Sequence, residues 1–334
     1  MIISRTPFRV SLFGGGSDYP KWFRQHGGAV FGFAINKYCY ISVRPLPPFF
    51  EYHHRIVYSA VENVSEFDEI RHPAVRAVLK DRGVEIGLEI HHDGDLPARS
   101  GLGSSSSFTV GMLNALASLD GKSTDKKHLA KEAIRIEQEV IGEHVGSQDQ
   151  VWAAYGGINR IEFLKNGDFN VQPVALSFIR KIALFDHLML YFTGFSRLAP
   201  EIAKKQIDNI DNRQQHIEKM VGLVDEGIAI LQSESRPISE VGELLHESWR
   251  LKRELTDAVS TPEIDEIYQT ARDAGAIGGK LLGAGGGGFM VLFVEPEKQA
   301  AVSARLDGLV RVNFGPDETG SKIVVYEPDG LENR

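Results

Sequence analysis

The sequence predicts an α+β fold of two lobes, and three observations lead to this prediction. At 334 residues, the chain is longer than the size at which a single hydrophobic core usually keeps growing. Short alternating or β-branched runs dominate the N-terminal third of the chain. Long amphipathic segments of helical period dominate after about residue 192. We therefore expect an N-terminal lobe at residues 1–185 and a C-terminal lobe at residues 186–334.

The first predicted elements are strands, since each is a short run rich in β-formers between turn residues. They cover residues 9–13, 38–43, 55–59 and 85–91. A helix is predicted after Ser105, because apolar residues then recur every three or four positions until Gly121.

A second helix is predicted next, with a cap near Ser123 or Thr124. Its apolar stripe contains Leu129, Ala133, Ile136 and Val140. A strand-rich stretch then covers residues 157–192, and long helices follow it. One of these helices has a clear entry at Thr261, Pro262 and Glu263, and Gly275 ends it.

Composition excludes several classes of protein. The net charge is −8 and no long basic run occurs, which argues against nucleic acid or an anionic membrane as a partner. Cys39 is the single cysteine, so no intrachain disulfide forms. Arg5 and Arg9 interrupt the apolar N-terminus, which is therefore unlike a signal peptide. We expect a cytoplasmic protein, and the sequence leaves a homo-oligomer open.

The most informative segment, residues 96–107, reads Leu-Pro-Ala-Arg-Ser-Gly-Leu-Gly-Ser-Ser-Ser-Ser. Its glycines let backbone N–H groups face a ligand, and its serines begin the helix predicted above, so the segment favours a phosphate site. A flexible Ser/Gly linker is the alternative, but a linker would not lie between a strand and a strong amphipathic helix. The segment lacks the Lys-Ser/Thr pair of a P-loop.

Two further glycine motifs occur. Four successive glycines in residues 283–288 precede an apolar run, where backbone must approach a ligand or another loop closely; a flexible turn is the alternative. Residues 13–18 read Phe-Gly-Gly-Gly-Ser-Asp. They do not form a dinucleotide-binding fingerprint, because its third glycine would fall at Tyr19 and no suitable helix follows.

Together the three motifs resemble those of the galactokinase–homoserine kinase–mevalonate kinase–phosphomevalonate kinase (GHMP) superfamily. The resembling segments are residues 6–14, 97–107 and 280–289. The resemblance implies an ATP-dependent kinase with a ribosomal-protein-S5-like N-terminal lobe and a ferredoxin-like C-terminal lobe, and with ATP and Mg²⁺ as cofactors. The nucleotide-binding residues that it implies are Pro97, Arg99, Ser100, Gly101, Leu102, Gly103, Ser104, Ser105 and Ser106.

The same resemblance implies that Asp149 is the catalytic carboxylate and that Arg9 is the cation beside it. A guanidinium there would keep the carboxylate ionised, so that it could accept the proton of the attacking hydroxyl. Magnesium would be held by Ser104 or Ser105 and by Glu137. The alternatives to Glu137 are Glu132 and Glu139, and a solvated salt bridge is the alternative to a metal role.

Sugar kinases of this superfamily usually continue the first motif as Gly-Glu-His-Thr-Asp-Tyr, and here the matching residues 14–19 read Gly-Gly-Gly-Ser-Asp-Tyr. The resemblance keeps Asp18 as a ligand of sugar hydroxyls. The loss of two side chains makes room for a longer sugar. The implied substrate-binding residues are Gly14, Gly15, Gly16, Ser17, Asp18, Lys280, Gly285 and Gly286.

Across the motifs, the sequence resembles most the D-glycero-D-manno-heptose 7-phosphate kinase branch, with fucokinases as the neighbouring branch. A sugar phosphate and ATP are then the expected small-molecule partners. The candidate cations for the 7-phosphate are Arg99, Lys37, Arg197 and Lys280, and backbone N–H groups of the glycine corner are an alternative. A kinase of a free sugar and a catalytically silent sugar sensor remain as alternatives.

Overall fold

Twelve strands form two sheets in the computed structural model, which describes residues 1–98, 100–194 and 199–328. The strands are β1 (Ile2–Phe13), β2 (Gly28–Pro45), β3 (His54–Val57), β4 (Val61–Val64), β5 (Leu88–Gly94), β6 (Ile158–Phe163), β7 (Phe169–Pro173), β8 (Leu188–Phe192), β9 (Ala276–Leu281), β10 (Phe289–Val294), β11 (Val310–Val312) and β12 (Lys322–Tyr326).

Helices cover both sheets. Within the described ranges they are α1 (Pro20–His26), α2 (Pro73–Arg82), α3 (Ser104–Leu119), α4 (Lys126–Arg135), α5 (Gln148–Tyr155), α6 (Phe178–Asp186), α7 (Ala199–Asn209), α8 (Gln214–Gln232), α9 (Ser239–Arg253), α10 (Pro262–Asp273) and α11 (Gln299–Arg305). A π-helical turn, Ile136–Ile141, continues α4.

The first sheet has eight strands and is built around the long strand β2. Residues 31–43 of β2 pair antiparallel with β1. On the other side, the first part of β2 pairs with β6 and its last part pairs with β5. The burial pattern explains this arrangement, because the first eight residues of β2 are all buried and the remainder alternates more. Helix α3 packs on β1 and β2, so the end of β1 lies close to the start of α3.

The second sheet has four strands in the order β11-β8-β10-β9, all antiparallel. Its chain order is strand, helices, two strands, helix, strand, which is the ferredoxin-like arrangement. The central strand β10 is buried throughout, as its unbroken apolar run requires. The predicted α+β fold of two lobes is confirmed.

The predicted lobe boundary at residue 185 lies within α6. This helix follows β7 of the first sheet and precedes β8 of the second. One strand does not follow this division. Strand β12, from the predicted C-terminal lobe 186–334, pairs antiparallel with β1, and Tyr326 lies opposite Ile2. The first sheet therefore contains both an early and a late part of the chain.

Some local predictions were wrong. The second helix is capped by Asp125, whose side chain accepts from the backbone N–H of His128, and not by Ser123 or Thr124. Val140 was placed in the apolar stripe but is 42% exposed, because the π turn rotates the residues that follow Ile136 out of α-helical register. Residues 157–192 contain β6, β7 and β8, as expected of a strand-rich stretch, but α6 lies among them and was not predicted.

Helix α8 crosses very close to the end of β1, at the entrance to the first glycine motif. A Cβ atom at Gly227 would lie 2.5 Å from the ring of Phe13. Phe13 is fully buried and stacks on Phe31 of β2, so its ring has little freedom to move away. Glycine is therefore required at position 227 for this helix to reach the sheet.

We predict that Gly227→Ala destabilises the fold, whereas Gly222→Ala on the same helix stabilises it. Both changes gain helix propensity of roughly 0.5–1 kcal/mol. A Cβ atom at Gly222 meets nothing within 4 Å, but one at Gly227 overpacks the core, which costs roughly 1–3 kcal/mol. Chemical denaturation of the two variants beside the parent protein measures the difference. Equal stabilisation by both substitutions would contradict the close approach.

Candidate active site

A cavity of about 610 Å³ lies where the glycine motifs of both lobes meet. Its walls come from the end of β1, the loop before α3, the start of α5, helices α7 and α9, and the loop after β9. Several site residues predicted from distant parts of the sequence, among them Arg9, Asp149 and Lys280, are therefore brought to one place.

Arg9 and Asp149 form a bidentate ion pair on the cavity wall. Arg9 Nε lies 2.8 Å from Asp149 Oδ1, and Nη2 lies 2.7 Å from Oδ2. Arg9 Nη1 donates to the carbonyl of Gly101 at 2.6 Å. The Arg9 side chain is only 5% exposed, whereas that of Asp149 is 24% exposed. The carboxylate is thus fixed by the guanidinium and still open to the cavity.

The loop before α3 is held against this ion pair. The backbone N–H of Arg9 donates to the carbonyl of Leu102 at 3.1 Å, and Leu102 is fully buried. Gly103 begins α3 with a φ of 78°, and a Cβ atom there would lie 3.3 Å from Asp149 Oδ2. Only glycine suits both this conformation and this contact. The N-terminus of α3, which has no side-chain cap, therefore lies beside Asp149.

Two predicted nucleotide-binding residues shape the same loop. Ser100 is buried, and its hydroxyl donates to the carbonyl of Pro97 at 2.6 Å. Ser105, in the first turn of α3, is exposed and lines the cavity. Arg99 and Arg197 lie outside the described residues. Lys37 lies on β2 and is not among the described residues that line the cavity.

The third glycine motif packs on this loop as well. A Cβ atom at Gly283 would lie 2.5 Å from Gly101 Cα, and one at Gly288 would lie 2.3 Å from the carbonyl of Ser100. This loop–loop contact accounts for glycine at these two positions.

Gly285 and Gly286, the two glycines of the third motif that were predicted to bind the substrate, differ in their positions. Gly285 lines the cavity. The N–H of Gly286, in contrast, donates to the carbonyl of Val259, so it does not face a substrate.

The first glycine motif forms the corner after β1. Gly15, Gly16 and Asp18 line the cavity, as the prediction requires, but Gly14 and Ser17 do not. The hydroxyl of Ser17 is fully buried and donates to the carbonyls of Gly14 and Ala29. Gly14 and Ser17 therefore fold the corner instead of binding the substrate directly.

Asp18 is almost completely buried at the base of the cavity. It accepts from the backbone N–H of Gly16 at 2.9 Å and from the side chain of Gln148. Burial, together with the nearby charge of Asp149, raises the pKa of the Asp18 carboxyl.

Two polar groups of this cavity wall were not predicted from the sequence. Ser11 Oγ and Gln148 Oε1 are buried and, among the described residues, have no hydrogen-bond partner. Both residues line the cavity. Ser11 follows Arg9 by two positions on β1 and so shares its face, a signal that strand alternation offered.

Two buried lysines also line the cavity. Lys280 was predicted, and its Nζ donates to the carbonyl of Leu12 at 2.9 Å. Lys252 was missed, and its Nζ donates to the carbonyls of Leu281 and Gly283 at 2.9 and 2.6 Å. Burial lowers the pKa of both amines, and that of Lys280 falls to about 7. The sequence does offer a signal for the burial of Lys252, because this residue lies seven positions after Leu245 and so falls on the apolar stripe of α9.

Glu137 is fully buried beneath the start of α3. Its Oε2 accepts from the side chains of Ser106 and Gln150, and its Oε1 is buried without a partner among the described residues. Burial raises the pKa of this carboxyl to about 7. Of its alternatives, Glu132 pairs with Arg135 on the surface and Glu139 is exposed.

The donors around Glu137 fit magnesium. The described ranges contain no cluster of three or more His, Cys, Asp or Glu side chains, which excludes an all-protein cage there. A nucleotide-bound Mg²⁺ needs only one or two carboxylates, besides phosphate oxygens and water. The unpartnered oxygen of Glu137, next to the Ser106 hydroxyl, meets that requirement. The serine that donates to Glu137 in this structure is Ser106. That Ser104 or Ser105 holds magnesium stays a prediction.

An open helix N-terminus beside an ion-paired carboxylate, at a cavity between two lobes, defines a site for phosphoryl transfer to a small molecule. Two family models match the chain: "GHMP kinases N terminal domain" at residues 68–157 and "GHMP kinases C terminal" at residues 229–309. The chain belongs to the GHMP kinases. It is a phosphotransferase with an alcohol group as acceptor, and enzymes of this family use ATP as the phosphate donor.

Known proteins extend this similarity over most of the chain. A D-glycero-alpha-D-manno-heptose 7-phosphate kinase of Campylobacter jejuni is 29% identical over 311 residues, which cover 89% of this chain and 91% of that protein. A mevalonate kinase of Pyrococcus abyssi is 30% identical over 247 residues, or 71% of this chain and 68% of that one.

Among solved structures, a D-glycero-D-manno-heptose 1-phosphate kinase of Bacteroides thetaiotaomicron superimposes with a TM-score of 0.71 at 24% identity. The superposition covers 98% of this chain and 100% of that one, and it shows the common fold. In the part of the chain that is described, every helix is too short or too polar to cross a membrane.

We predict that Glu137 makes stability depend on pH in the absence of ligand. Between pH 4.5 and 7 an unfolded Glu137 has lost its proton while the folded one keeps it, so the free energy of unfolding falls as pH rises. A carboxyl whose pKa moves from 4.5 to about 7 contributes about 3 kcal/mol to this dependence. Denaturation at pH 5 and pH 7 should show a smaller fall for Glu137→Gln than for the parent. The surface variant Glu132→Gln should behave as the parent, and identical curves for all three proteins would count against a buried, protonated Glu137.

Proposed function

We propose that this protein is a sugar-phosphate kinase that transfers the γ-phosphate of ATP to the anomeric O1 of D-glycero-D-manno-heptose 7-phosphate. The product is the 1,7-bisphosphate, a precursor of nucleotide-activated heptose for surface polysaccharide. The observation that carries the kinase chemistry is the Arg9–Asp149 ion pair, which faces the cavity beside the N-terminus of α3. The similarity to the heptose kinase of Campylobacter jejuni supports the choice of acceptor.

In the proposed reaction, the proton of the anomeric hydroxyl moves to the Asp149 carboxylate as O1 attacks the γ-phosphorus. The bond from the γ-phosphorus to the bridging oxygen breaks, and ADP leaves with that electron pair. Arg9 holds the Asp149 carboxylate in place through two hydrogen bonds, so that both oxygens keep a fixed orientation. An anomeric hydroxyl is more acidic than an ordinary alcohol, which suits a carboxylate as its base.

The nucleotide phosphates would lie at the N-terminus of α3, where uncapped N–H groups and the glycine loop offer donors. Glu137 and a serine at the start of α3 would hold magnesium, whose charge offsets that of the phosphate oxygens. Positioning and charge neutralisation would then supply most of the rate enhancement, as is general for phosphoryl transfer.

A hydroxyl-rich acceptor longer than a hexose is supported by the corner after β1. A Cβ atom at Gly15 would have its nearest neighbour 3.9 Å away, so a substrate can lie against the backbone there. The unpartnered Ser11 hydroxyl and Gln148 carbonyl oxygen offer hydrogen bonds to sugar hydroxyls, and Asp18 lies beside them. The buried Lys280 supplies positive charge for a phosphate on the acceptor.

We predict that the purified protein, given ATP, phosphorylates heptose 7-phosphate in preference to fucose or galactose. The measurement is ADP release with each acceptor at equal concentration, followed by identification of the product by its anomeric phosphorus signal. Turnover confined to a free hexose would rule out the heptose assignment. If the sugars bind but none of them causes ADP release from ATP, the result would instead favour the catalytically silent sugar sensor.

We predict that Asp149→Asn lowers kcat by roughly 10²–10⁴-fold, the usual contribution of a general base. The affinity for ATP, measured by calorimetry, should stay within about threefold because the phosphate loop itself is unchanged. Asp225→Asn is a suitable control, since Asp225 is an exposed residue of α8 that makes a surface ion pair with Arg160. Near-normal turnover in Asp149→Asn would show that another group accepts the proton.

A further inference from the structure

Lys252 and Lys280 are two buried lysines whose side-chain hydrogen bonds go only to backbone carbonyls. Neither forms an ion pair within the described ranges, and they are 7% and 3% exposed. An ammonium has three N–H donors. Lys280 uses one, on Leu12, and Lys252 uses two, on Leu281 and Gly283. Three donors therefore remain, on two side chains that both line the cavity.

The charges around these lysines do not balance. Arg9 is matched by Asp149 through two short hydrogen bonds. Asp18 is the other carboxylate that lines the cavity and is buried, and it already accepts from Gly16 and Gln148. When these groups are ionised, the three buried cations Arg9, Lys252 and Lys280 are matched by Asp18 and by the partly exposed Asp149 alone. An uncompensated buried charge costs several kcal/mol, so the protein is poised either to lose a proton or to bind an anion.

We propose that Lys252 and Lys280 form a two-lysine subsite that binds a phosphomonoester on the acceptor. This rests on the proposed function, because it takes the acceptor to be a sugar phosphate. In this proposal Lys252 is a specificity residue, and it lies outside the three glycine motifs. The subsite holds the end of the acceptor that is remote from the reacting hydroxyl.

The position of the lysines supports this orientation. Lys280 Nζ donates to the carbonyl of Leu12, near the end of β1 and just before the glycine corner that carries Asp18. The subsite therefore lies beside that corner. A sugar that places its phosphate there can direct its other end to Asp149, which lines the same cavity. The two lysines thus select both the charge of the acceptor and the end that reacts.

Binding at this subsite should take up protons. Burial lowers the pKa of both lysines, and that of Lys280 is about 7, so part of the population is neutral at physiological pH. A bound phosphate dianion favours the charged amines and raises those pKa values. The other ionisable groups that line the cavity are Arg9, Asp18, Tyr19, Glu143, His144 and Asp149. Affinity for the phosphorylated acceptor should fall as pH rises above 7, and affinity for the unphosphorylated sugar should change less.

The first test compares Lys252→Met and Lys280→Met, with Arg253→Met as the control. Arg253 neighbours Lys252 on α9 but is 43% exposed and pairs with Asp265. Each lysine variant should raise KM for heptose 7-phosphate by roughly 10–100-fold, the range expected for a lost charged hydrogen bond. KM for ATP, and kcat/KM for the same heptose without phosphate, should stay within about threefold. The control should match the parent with both acceptors.

The outcomes separate this inference from the proposed function. An equal loss of kcat with both acceptors would mean that the lysines act on the transferred phosphoryl group, and would overturn the subsite. An unchanged KM for heptose 7-phosphate in both variants would overturn it too. If the parent protein turns over only unphosphorylated sugars, the proposed function itself has failed.

A second measurement needs no variant and decides the matter if a lysine substitution prevents folding. Calorimetry of heptose 7-phosphate binding to the parent protein, in two buffers of different ionisation enthalpy, counts the protons that are exchanged. Net proton uptake at pH 8, absent with the unphosphorylated heptose, supports the subsite. Identical proton counts for the two sugars would overturn it.

Discussion

The ion pair between Arg9 and Asp149 is the constraint on which the site depends. Arg9 comes from β1 and Asp149 from the first turn of α5, and the guanidinium also holds the loop before α3 through Gly101. One side chain thereby fixes the distance between a strand, a helix N-terminus and a loop. The bidentate attraction to Asp149 and the hydrogen bond to Gly101 offset the desolvation penalty of burying Arg9, while the carboxylate stays open to the cavity.

The glycines of the three motifs serve this constraint in different ways. Gly103 makes room for Asp149 at the start of α3, and Gly283 makes room for Gly101. Position 14 admits only glycine, because a Cβ atom there would lie 2.0 Å from the carbonyl of Ala29. At Gly14 and Gly283, glycine is therefore required because backbone packs on backbone. Gly15 differs, since the space above it opens into the cavity and leaves room for a substrate.

The sequence was sufficient for the fold class and for the meeting of Arg9, Asp149 and Asp18, because glycine runs and strand alternation are local signals. It was insufficient for Lys252, whose role follows from a helix packing against a loop thirty residues later in the chain. The hydrogen bond of Ser106 to Glu137 was also not foreseen, because it joins α3 to the π turn thirty-one residues later in the chain. Gly286 and Ser17 were misplaced because their hydrogen bonds go to residues that no motif identifies.

Strand β12 has a consequence for the order in which the chain is made and folds. It pairs with the first strand, with Lys322 opposite Arg5, so this edge of β1 stays uncovered until residues 322–326 have been synthesised. Unpaired strand edges are templates for association with other chains. Until then the nascent N-terminal sheet keeps an open edge, and β12, which comes last among the described strands, closes it.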